Sequence, residues 1–409
     1  MNGQPSPLLA VTEALARIVA MASRYPRTTE TIPVGQAAGR VLAADLVALR
    51  TQPPFAMSAM DGYALRAADA EAGRSLKVIG ESAAGHPFAG KIGAGEAIRI
   101  FTGAAVPEGA DAVLIQENAI VEGETLRPNS ALRAGAFIRA AGRDFKAGTT
   151  GLTAGTRLTP AALALAAAMN HAELPAYRRP RLGLLATGDE LSPPGPDAPE
   201  GATIASNIIG IAAMARAAGA EVINLGIARD NEPSLQVAFD RAMAEKADLL
   251  VTIGGASVGK HDLVRPVLVS RGAELDFYRI AMRPGKPLNF GKLGAMLYLG
   301  LPGNPVSAMV CATLFLMPLI GLLQGDLSAA DDRSEPAFLG APLAENDMRE
   351  DYLRAALSHD SAGRLIATPS GDQDSSLLSV LHRADALLIR PAHAPAEQAG
   401  APCRILRIP

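Results

Sequence analysis

From Pro180 to about Leu323 the sequence alternates β-type and helical runs, and this rhythm constrains the fold more than any other feature. "RLGLLAT" is followed by "SNIIGIAAMARAAGA", "EVINLG" by "PSLQVAFDRAMAE", and "DLLVTIGG" by a short helix near 261–270. "LDFYRIA", "AMLYLGL" and a long helix after Pro305 complete the series. Continuous apolar runs read as strands buried on both faces, and their alternation with helices predicts a largely parallel, doubly wound sheet. In such α/β sheets ligands bind beyond the carboxyl ends of the strands. The polar residues that follow each strand are therefore the candidates for function.

Those residues form a consistent set. They are Thr187, Gly188, Asp189 and Glu190 after the first strand, Arg229 and Asp230 after the second, and Gly254, Gly255, Ser257 and Asp262 after the third. Arg283, Gly285 and Lys286 follow the fourth, and Pro302, Gly303, Asn304 and Pro305 the fifth. Carboxylates, cations and two glycine-rich turns on one edge suit a phosphorylated ligand with a magnesium ion, because amides and cations meet the anion and carboxylate oxygens meet the metal. For any single acidic residue, compensation of a helix dipole is the competing explanation.

The turn "GGASVGKH" (254–261) places Gly254, Gly259 and Lys260 at the spacing of a nucleotide-binding P-loop. His261 stands where that loop needs a hydroxyl for magnesium, and Asp262 would approach any phosphate held there. It therefore reads as a different strand-end turn.

Flanking texture divides the rest. Residues 7 to 22 read as an amphipathic helix with Ser6 as N-cap and Pro7 in the first turn. Short β runs with Gly and Pro turns occupy about 45–145, and helical texture returns in "TPAALALAAAMNHAEL" (159–174). Short strands resume after about 328. The expected domains are 1–45 with 146–179, an inserted β module at 46–145, the α/β domain at 180–327 and a β domain at 328–409. In the module, "PPFAMSAMDGYAL" surrounds Asp61 with apolar side chains, "RIFTGAAVPEGAD" carries Thr102, and "AGRDFKAG" carries Asp144.

The net charge of −3 and the absence of a long Lys/Arg run exclude an electrostatic footprint for nucleic acid. Cys311 and Cys403 are too few for a disulfide framework or zinc site, consistent with a reducing compartment. The longest apolar stretch, about 309–323, contains Pro318 and is shorter than the roughly 20 residues of a membrane span. With no signal-peptide pattern, a cytoplasmic protein is expected.

Seven segments in order, "PPFAMSAMDGYAL", "FTGAAVPEGADAVL", "ATGDEL", "SNIIGIAAMARAAGAEV", "DLLVTIGGASVGKHD", "MRPGKPLNF" and "GLPGNPVSAMV", make the chain resemble the molybdopterin molybdenumtransferases, the MoeA family and the E domain of gephyrin. The resemblance implies an elongated helical domain, an inserted β module, a central molybdopterin-binding α/β domain and a C-terminal β barrel. It implies a homodimer whose site joins the central domain of one subunit to the β module region of the other. The implied reaction inserts molybdate into adenylylated molybdopterin with magnesium-dependent loss of AMP. An adenylyltransferase partner and apo-molybdoenzyme recipients are implied with it.

The same resemblance assigns catalytic roles to Asp61, Asp144, Glu190, Asp230, Asp262, Arg279 and Arg283. It assigns substrate binding to Thr102, Thr187, Gly188, Gly254, Gly255, Ser257, Lys286, Pro302, Gly303, Asn304, Ser307 and Arg354. Magnesium falls to Glu190, Asp230 and Asp262. This chain departs from the pattern in carrying Arg at 279 and 283 where relatives often have Lys, Ala256 and Lys260 in the glycine turn, and Asp374 and Ser376 beside Ser375. Two other readings share the α/β domain: an adenylyltransferase of the pterin, and a non-catalytic pterin-binding scaffold. A nicotinamide-nucleotide amidase type of protein shares that domain alone.

Overall fold

The computed structural model describes residues 8–255 and 263–408, and the chain forms two compact units. The smaller comprises 31–38 and 42–176. Its strands β1 (Gly62–Leu65), β2 (Leu76–Ser82), β3 (Glu96–Ile100), β4 (Ala112–Ile115), β5 (Ala119–Glu122) and β6 (Thr125–Pro128) form one mixed sheet in the order β4-β1-β3-β2-β6-β5. Only β2 and β3 run parallel. Adjacent residues alternate between its faces, as the pleat requires. Ala64, Ile98 and Val113 enter one apolar cluster, while Leu65, Ala97 and Leu114 enter the other.

Helix Pro160–Ala168 of this unit starts as the sequence predicts: Pro160 is in the first turn and the Thr159 hydroxyl accepts the Ala162 amide. It ends well before residue 174. Asn170 adopts a left-handed conformation at φ 76°, which stops the helix, and the chain then turns into the strand Glu173–Tyr177.

The larger unit comprises the described residues up to Glu30, 39–41 and everything from Tyr177 onward. Strands β7 (Arg181–Thr187), β8 (Glu221–Ala228), β9 (Leu249–Ile253), β10 (Ala273–Phe277), β11 (Asn289–Leu293) and β12 (Met296–Leu301) build a six-stranded sheet in the order β8-β7-β9-β12-β11-β10. The first four are parallel, and β11 runs against both its neighbours. Helices Val11–Ser23, Ser206–Ala217 and Pro305–Leu323 cover one face through Leu182, Leu184 and Leu299. Helices Glu232–Ala244 and Val264–Ser270 cover the other through Leu185, Leu250 and Tyr298. This is the doubly wound arrangement expected from the alternating runs.

Three local expectations are corrected. The first helix begins at Val11, not residue 7, because Leu9 is drawn into a parallel bridge with Ile280; Ser6 and Pro7 lie outside the described residues. "LDFYRIA" yields a strand only to Phe277, since Ile280 bridges to Leu9 instead of extending the sheet. Pro318 does not break the last helix. A π turn at Ala312–Leu316 widens the backbone just before it, where the proline ring would otherwise meet the preceding turn. Pro305–Leu323 is thus long and apolar enough to cross a membrane by composition, but 83% of it is covered by protein, so it is a core helix.

The C-terminal strands β13 (Glu335–Leu339), β14 (Glu350–His359), β15 (Leu365–Pro369), β16 (Ala386–Arg390) and β17 (Pro402–Arg407) pair in the order β14-β15-β13-β17-β16, and β16 returns to β14. The result is a closed five-stranded barrel filled by Leu339, Ala355, Ala367, Leu388 and Ile405. A short strand, Met282–Arg283, runs beside β14 and ties the barrel to the end of the α/β sheet.

Inside that sheet the Thr252 and Tyr298 hydroxyls pair at 3.0 Å, fully buried. Removing the hydroxyl in Tyr298→Phe should lower unfolding stability by about 1–3 kcal/mol. Chemical denaturation read by tyrosine-independent circular dichroism checks this; an unchanged midpoint would show that the bond contributes nothing.

Candidate functional site

In the sheet order β8-β7-β9-β12, β7 leads through its helix to one side and β9 leads onward to the other. The carboxyl ends of these two neighbours therefore form a topological switch point, where a crevice is expected. The residues that leave these strands approach very closely. A Cβ on Gly254 would lie 2.7 Å from the Thr187 carbonyl oxygen, and Gly254 itself has φ 93°, so both space and backbone conformation require glycine there. Gly188, at the end of β7, lies against the Glu190 carboxylate: a Cβ would lie 2.7 Å from its oxygen.

The crevice opens into a cavity of about 710 Å³ in the larger unit. Of the sequence-derived candidates, Thr187, Gly188, Glu190, Asp230, Gly254, Gly255, Pro302, Gly303, Asn304 and Ser307 all line it. Residues from four strand ends are thus brought to one space, as the topology predicts. Ser257 and Asp262, together with Gly259, Lys260 and His261, lie outside the described residues.

The acidic edge is held by local capping. The Asp189 carboxylate accepts the Asp230 amide at 3.2 Å, linking the β7 and β8 ends. Asn231 then caps helix Glu232–Ala244 by accepting the Ser234 amide at 3.0 Å. Asp230 therefore sits just before the amino end of a helix, where the backbone dipole is positive.

The cations are placed differently. Because β11 separates β12 from β10, the chain after β10 leaves the same edge of the sheet two strand spacings, roughly 10 Å, beyond β12. Arg283 follows it and forms a two-pronged pair with Asp351 at the start of the barrel, one contact being 2.9 Å. That hydrogen-bonded pair raises the guanidinium pKa above its ordinary value. Arg279 stacks on Tyr278 with its guanidinium 5.5 Å from the ring centre. Lys286 is exposed, and its neighbour Pro287 is a cavity residue. Neither Arg279, Arg283 nor Lys286 is itself in the lining.

Arg354 is fully buried in the barrel wall, 1% exposed, and also lies outside the lining. It donates to the Asp374 carbonyl at 3.1 Å and fixes a turn whose next residue reaches the cavity wall. Ser375 Oγ accepts the Asn304 carboxamide at 2.8 Å, and its carbonyl accepts the Val306 amide at 3.0 Å. Arg354 is thus linked to the cavity residue Asn304 through this turn.

Asp61, Thr102 and Asp144 belong to the smaller unit. The Thr102 amide and hydroxyl both donate to one Asp61 carboxylate oxygen, at 2.7 and 2.9 Å. These bonds favour the charged form and hold the Asp61 pKa below the usual carboxylate range. Asp144 is exposed in the turn that pairs with Gln52, through its amide at 3.0 Å to the Gln52 carbonyl.

Two lining residues are not singled out by the strand-end pattern: Asn207 lies within a helix pattern, and Pro287 follows the cationic segment. Asn207 donates from Nδ2 to the Gly303 carbonyl at 2.6 Å across the cavity. Its signal was available: a carboxamide in the first turn of a strand-end helix, where such side chains often bond to neighbouring backbone.

Comparisons with known proteins cover nearly the whole chain. Residues 9–170 match the MoeA N-terminal region (domain I and II), 183–321 a probable molybdopterin binding domain, and 336–407 the MoeA C-terminal region (domain IV). A solved molybdopterin biosynthesis MoeA protein of Pyrococcus horikoshii superposes with a TM-score of 0.84 at 27% identity, covering 98% of this chain and 99% of that one. The molybdopterin molybdenumtransferase 2 of Mycobacterium tuberculosis is 37% identical over 361 residues, 86% of this chain and 88% of its own. The molybdopterin molybdenumtransferase of Haemophilus influenzae is 36% identical over 366 residues, 89% of this chain and 90% of its own. With the strand-end cavity and the domain matches in the same order, the chain belongs to the molybdopterin molybdenumtransferase (MoeA) family.

Proposed function

We propose that this enzyme acts in molybdenum cofactor biosynthesis by inserting molybdate into adenylylated molybdopterin with release of AMP. The observation that supports this most is the union of Glu190, Asp230, two glycine turns and Ser307 in one strand-end cavity. Its volume lies in the range of small-molecule sites.

The donors fit magnesium. Among the described residues no cluster of three His, Cys, Asp or Glu forms a closed metal cage. Magnesium is ordinarily held by one or two carboxylates together with substrate phosphates and waters, and Glu190 and Asp230 offer the former. They would hold the ion, with Asp262 assigned alongside them by resemblance. When bound, magnesium neutralises charge on the phosphate and eases departure of AMP.

The chain's own residues position the substrate. Gly254 and Gly188 let the strand ends close on Thr187 and Glu190, where a Cβ would collide, and so shape the crevice that takes the ligand. Asn304, held by Ser375, and Ser307 present polar groups from the opposite wall. Asp61, kept ionised by Thr102, and Asp144 are the smaller unit's contribution to the reaction, and Arg279, Arg283, Lys286 and Arg354 supply or steady the positive field for molybdate. We place the reaction in a homodimer with four domains in each cytoplasmic subunit. An adenylyltransferase supplies the substrate and apo-molybdoenzymes receive the product.

Mixing the protein with adenylylated molybdopterin, magnesium and molybdate should give molybdate-stimulated AMP release and activate an apo-molybdoenzyme. An adenylyltransferase would consume ATP to make that substrate, so absence of molybdate-stimulated release overturns the assignment. Glu190→Gln and Asp230→Asn should each lower the rate by about a hundredfold or more, by analogy with loss of one preorganised charge-stabilising group. Rates within twofold of the parent would remove these carboxylates from the reaction.

Thr102→Val keeps the amide donor but removes the hydroxyl, so the Asp61 pKa should rise toward its ordinary value while staying below it. The acid limb of an Asp61-dependent rate moves to higher pH by the same amount. Carboxyl NMR titration of parent and variant checks the midpoint; identical midpoints would show that the hydroxyl does not hold the charge.

A further inference from the structure

The pleat of the smaller unit's sheet puts Tyr63, Arg99 and Phe101 on one face. Tyr63 and Arg99 are direct partners across β1 and β3, and Phe101 follows two residues after Arg99. Their side chains meet: the Arg99 guanidinium lies 5.0 Å from the centre of the Tyr63 ring and 5.1 Å from that of Phe101, both cation–π distances. From there Nη2 donates to Gln116 Oε1 at 2.8 Å and Nη1, more weakly, to the Gly62 carbonyl at 3.4 Å. A side chain from β3 thus spans β1 and reaches the end of β4.

The residues it touches flank or hold Asp61. Gly62 and Tyr63 follow Asp61 directly, and Phe101 precedes Thr102, whose amide and hydroxyl both donate to Asp61 Oδ1. The Gln116 amide donates to the Asp61 carbonyl at 3.1 Å. Gly62 is fixed in turn, since a Cβ there would lie 1.9 Å from the Leu114 carbonyl oxygen. Asp61 itself is exposed, so no packing against its side chain sets the direction of its carboxylate. Its low pKa comes first from the Thr102 bonds, and the Arg99 charge adds to them.

Resting on the reading that Asp61 takes part in the reaction, we propose that Arg99 is a positioning residue. Its planar fork, laid against Tyr63 and Phe101, ties Gly62 to Gln116 and so fixes where the Asp61 carboxylate faces. The bridge acts, and not the charge alone, because a guanidinium can stack and donate in two directions from one plane whereas an ammonium is a point charge.

The test measures kcat and KM for molybdate-stimulated AMP release on the full chain, with unfolding midpoints as the control for folding. Arg99→Lys, which keeps the charge, and Arg99→Met, which keeps the stem, should both lose about tenfold or more in kcat while KM for adenylylated molybdopterin stays within about twofold. Gln116→Leu keeps its amide and should lose kcat in the same sense. In the double variant Arg99→Met with Gln116→Leu the losses should not multiply, because the two side chains act as one link. The Thr102 amide proton, read by NMR, should move upfield in Arg99→Met as its bond to the carboxylate loosens.

Arg99→Lys at the parent kcat would assign the effect to charge, and Arg99→Met within about twofold of the parent would leave Arg99 a strut of the sheet; either overturns the inference. So would multiplying losses in the double variant, or a parent-like rate in Asp61→Asn, with the enzyme's function still standing. Should Arg99→Met fail to fold, Arg99→Lys and Gln116→Leu carry the same test. Absence of molybdate-stimulated release by the parent sinks the underlying function instead, and an unmoved Thr102 amide proton then sinks the Arg99 link with it.

Discussion

The close approach of the β7 and β9 ends is the constraint on which the rest of the site depends. Gly254 can lie beside the Thr187 carbonyl only because it has no side chain, and the Cβ of any other residue would meet that oxygen at 2.7 Å. The crevice follows from this contact and from the reversal of chain direction at the switch point. Thr187 is then buried against the Gly254–Gly255 turn, Glu190 lies beside Gly188, and Asp189 fastens the next strand end. A single backbone approach thus sets the positions of groups from both strands.

The barrel contributes to this edge from behind. Arg283 is committed to Asp351, and Arg354 to the turn at 373–374. Neither guanidinium faces the cavity, but the turn that Arg354 supports carries Ser375, which grips Asn304 and the amide of Val306. Arg283 is paired at the surface, whereas the buried Arg354 is held through the Asp374 carbonyl. Its effect here is to fix the wall of the site that begins the long core helix Pro305–Leu323.

The legible parts of the fold were those that depend on local order. Apolar runs ending in "TGDE" or "PGNP" gave β7, β12 and the residues after them, because strand burial and glycine punctuation are written next to each other in the chain. β11 was not legible: "NFGKL" runs antiparallel only because β10 and β12 flank it. The long helix after Pro305 was legible, but its full apolar length to Leu323 was not, because a π turn, invisible to pattern, absorbs Pro318. The first helix started late because Leu9 has a partner more than 250 residues away.

By itself the sequence determined the doubly wound sheet, the edge at which the cavity opens and many of the residues that line it, since periodicity and strand-end glycines are local properties of the chain. Only the tertiary structure decided which of those residues share one cavity. It paired Arg283 with the barrel carboxylate Asp351 and buried Arg354 in the barrel wall, both outside the cavity lining. It also tied Asn207, in the first turn of its helix, to the Gly303 carbonyl 96 positions along the chain.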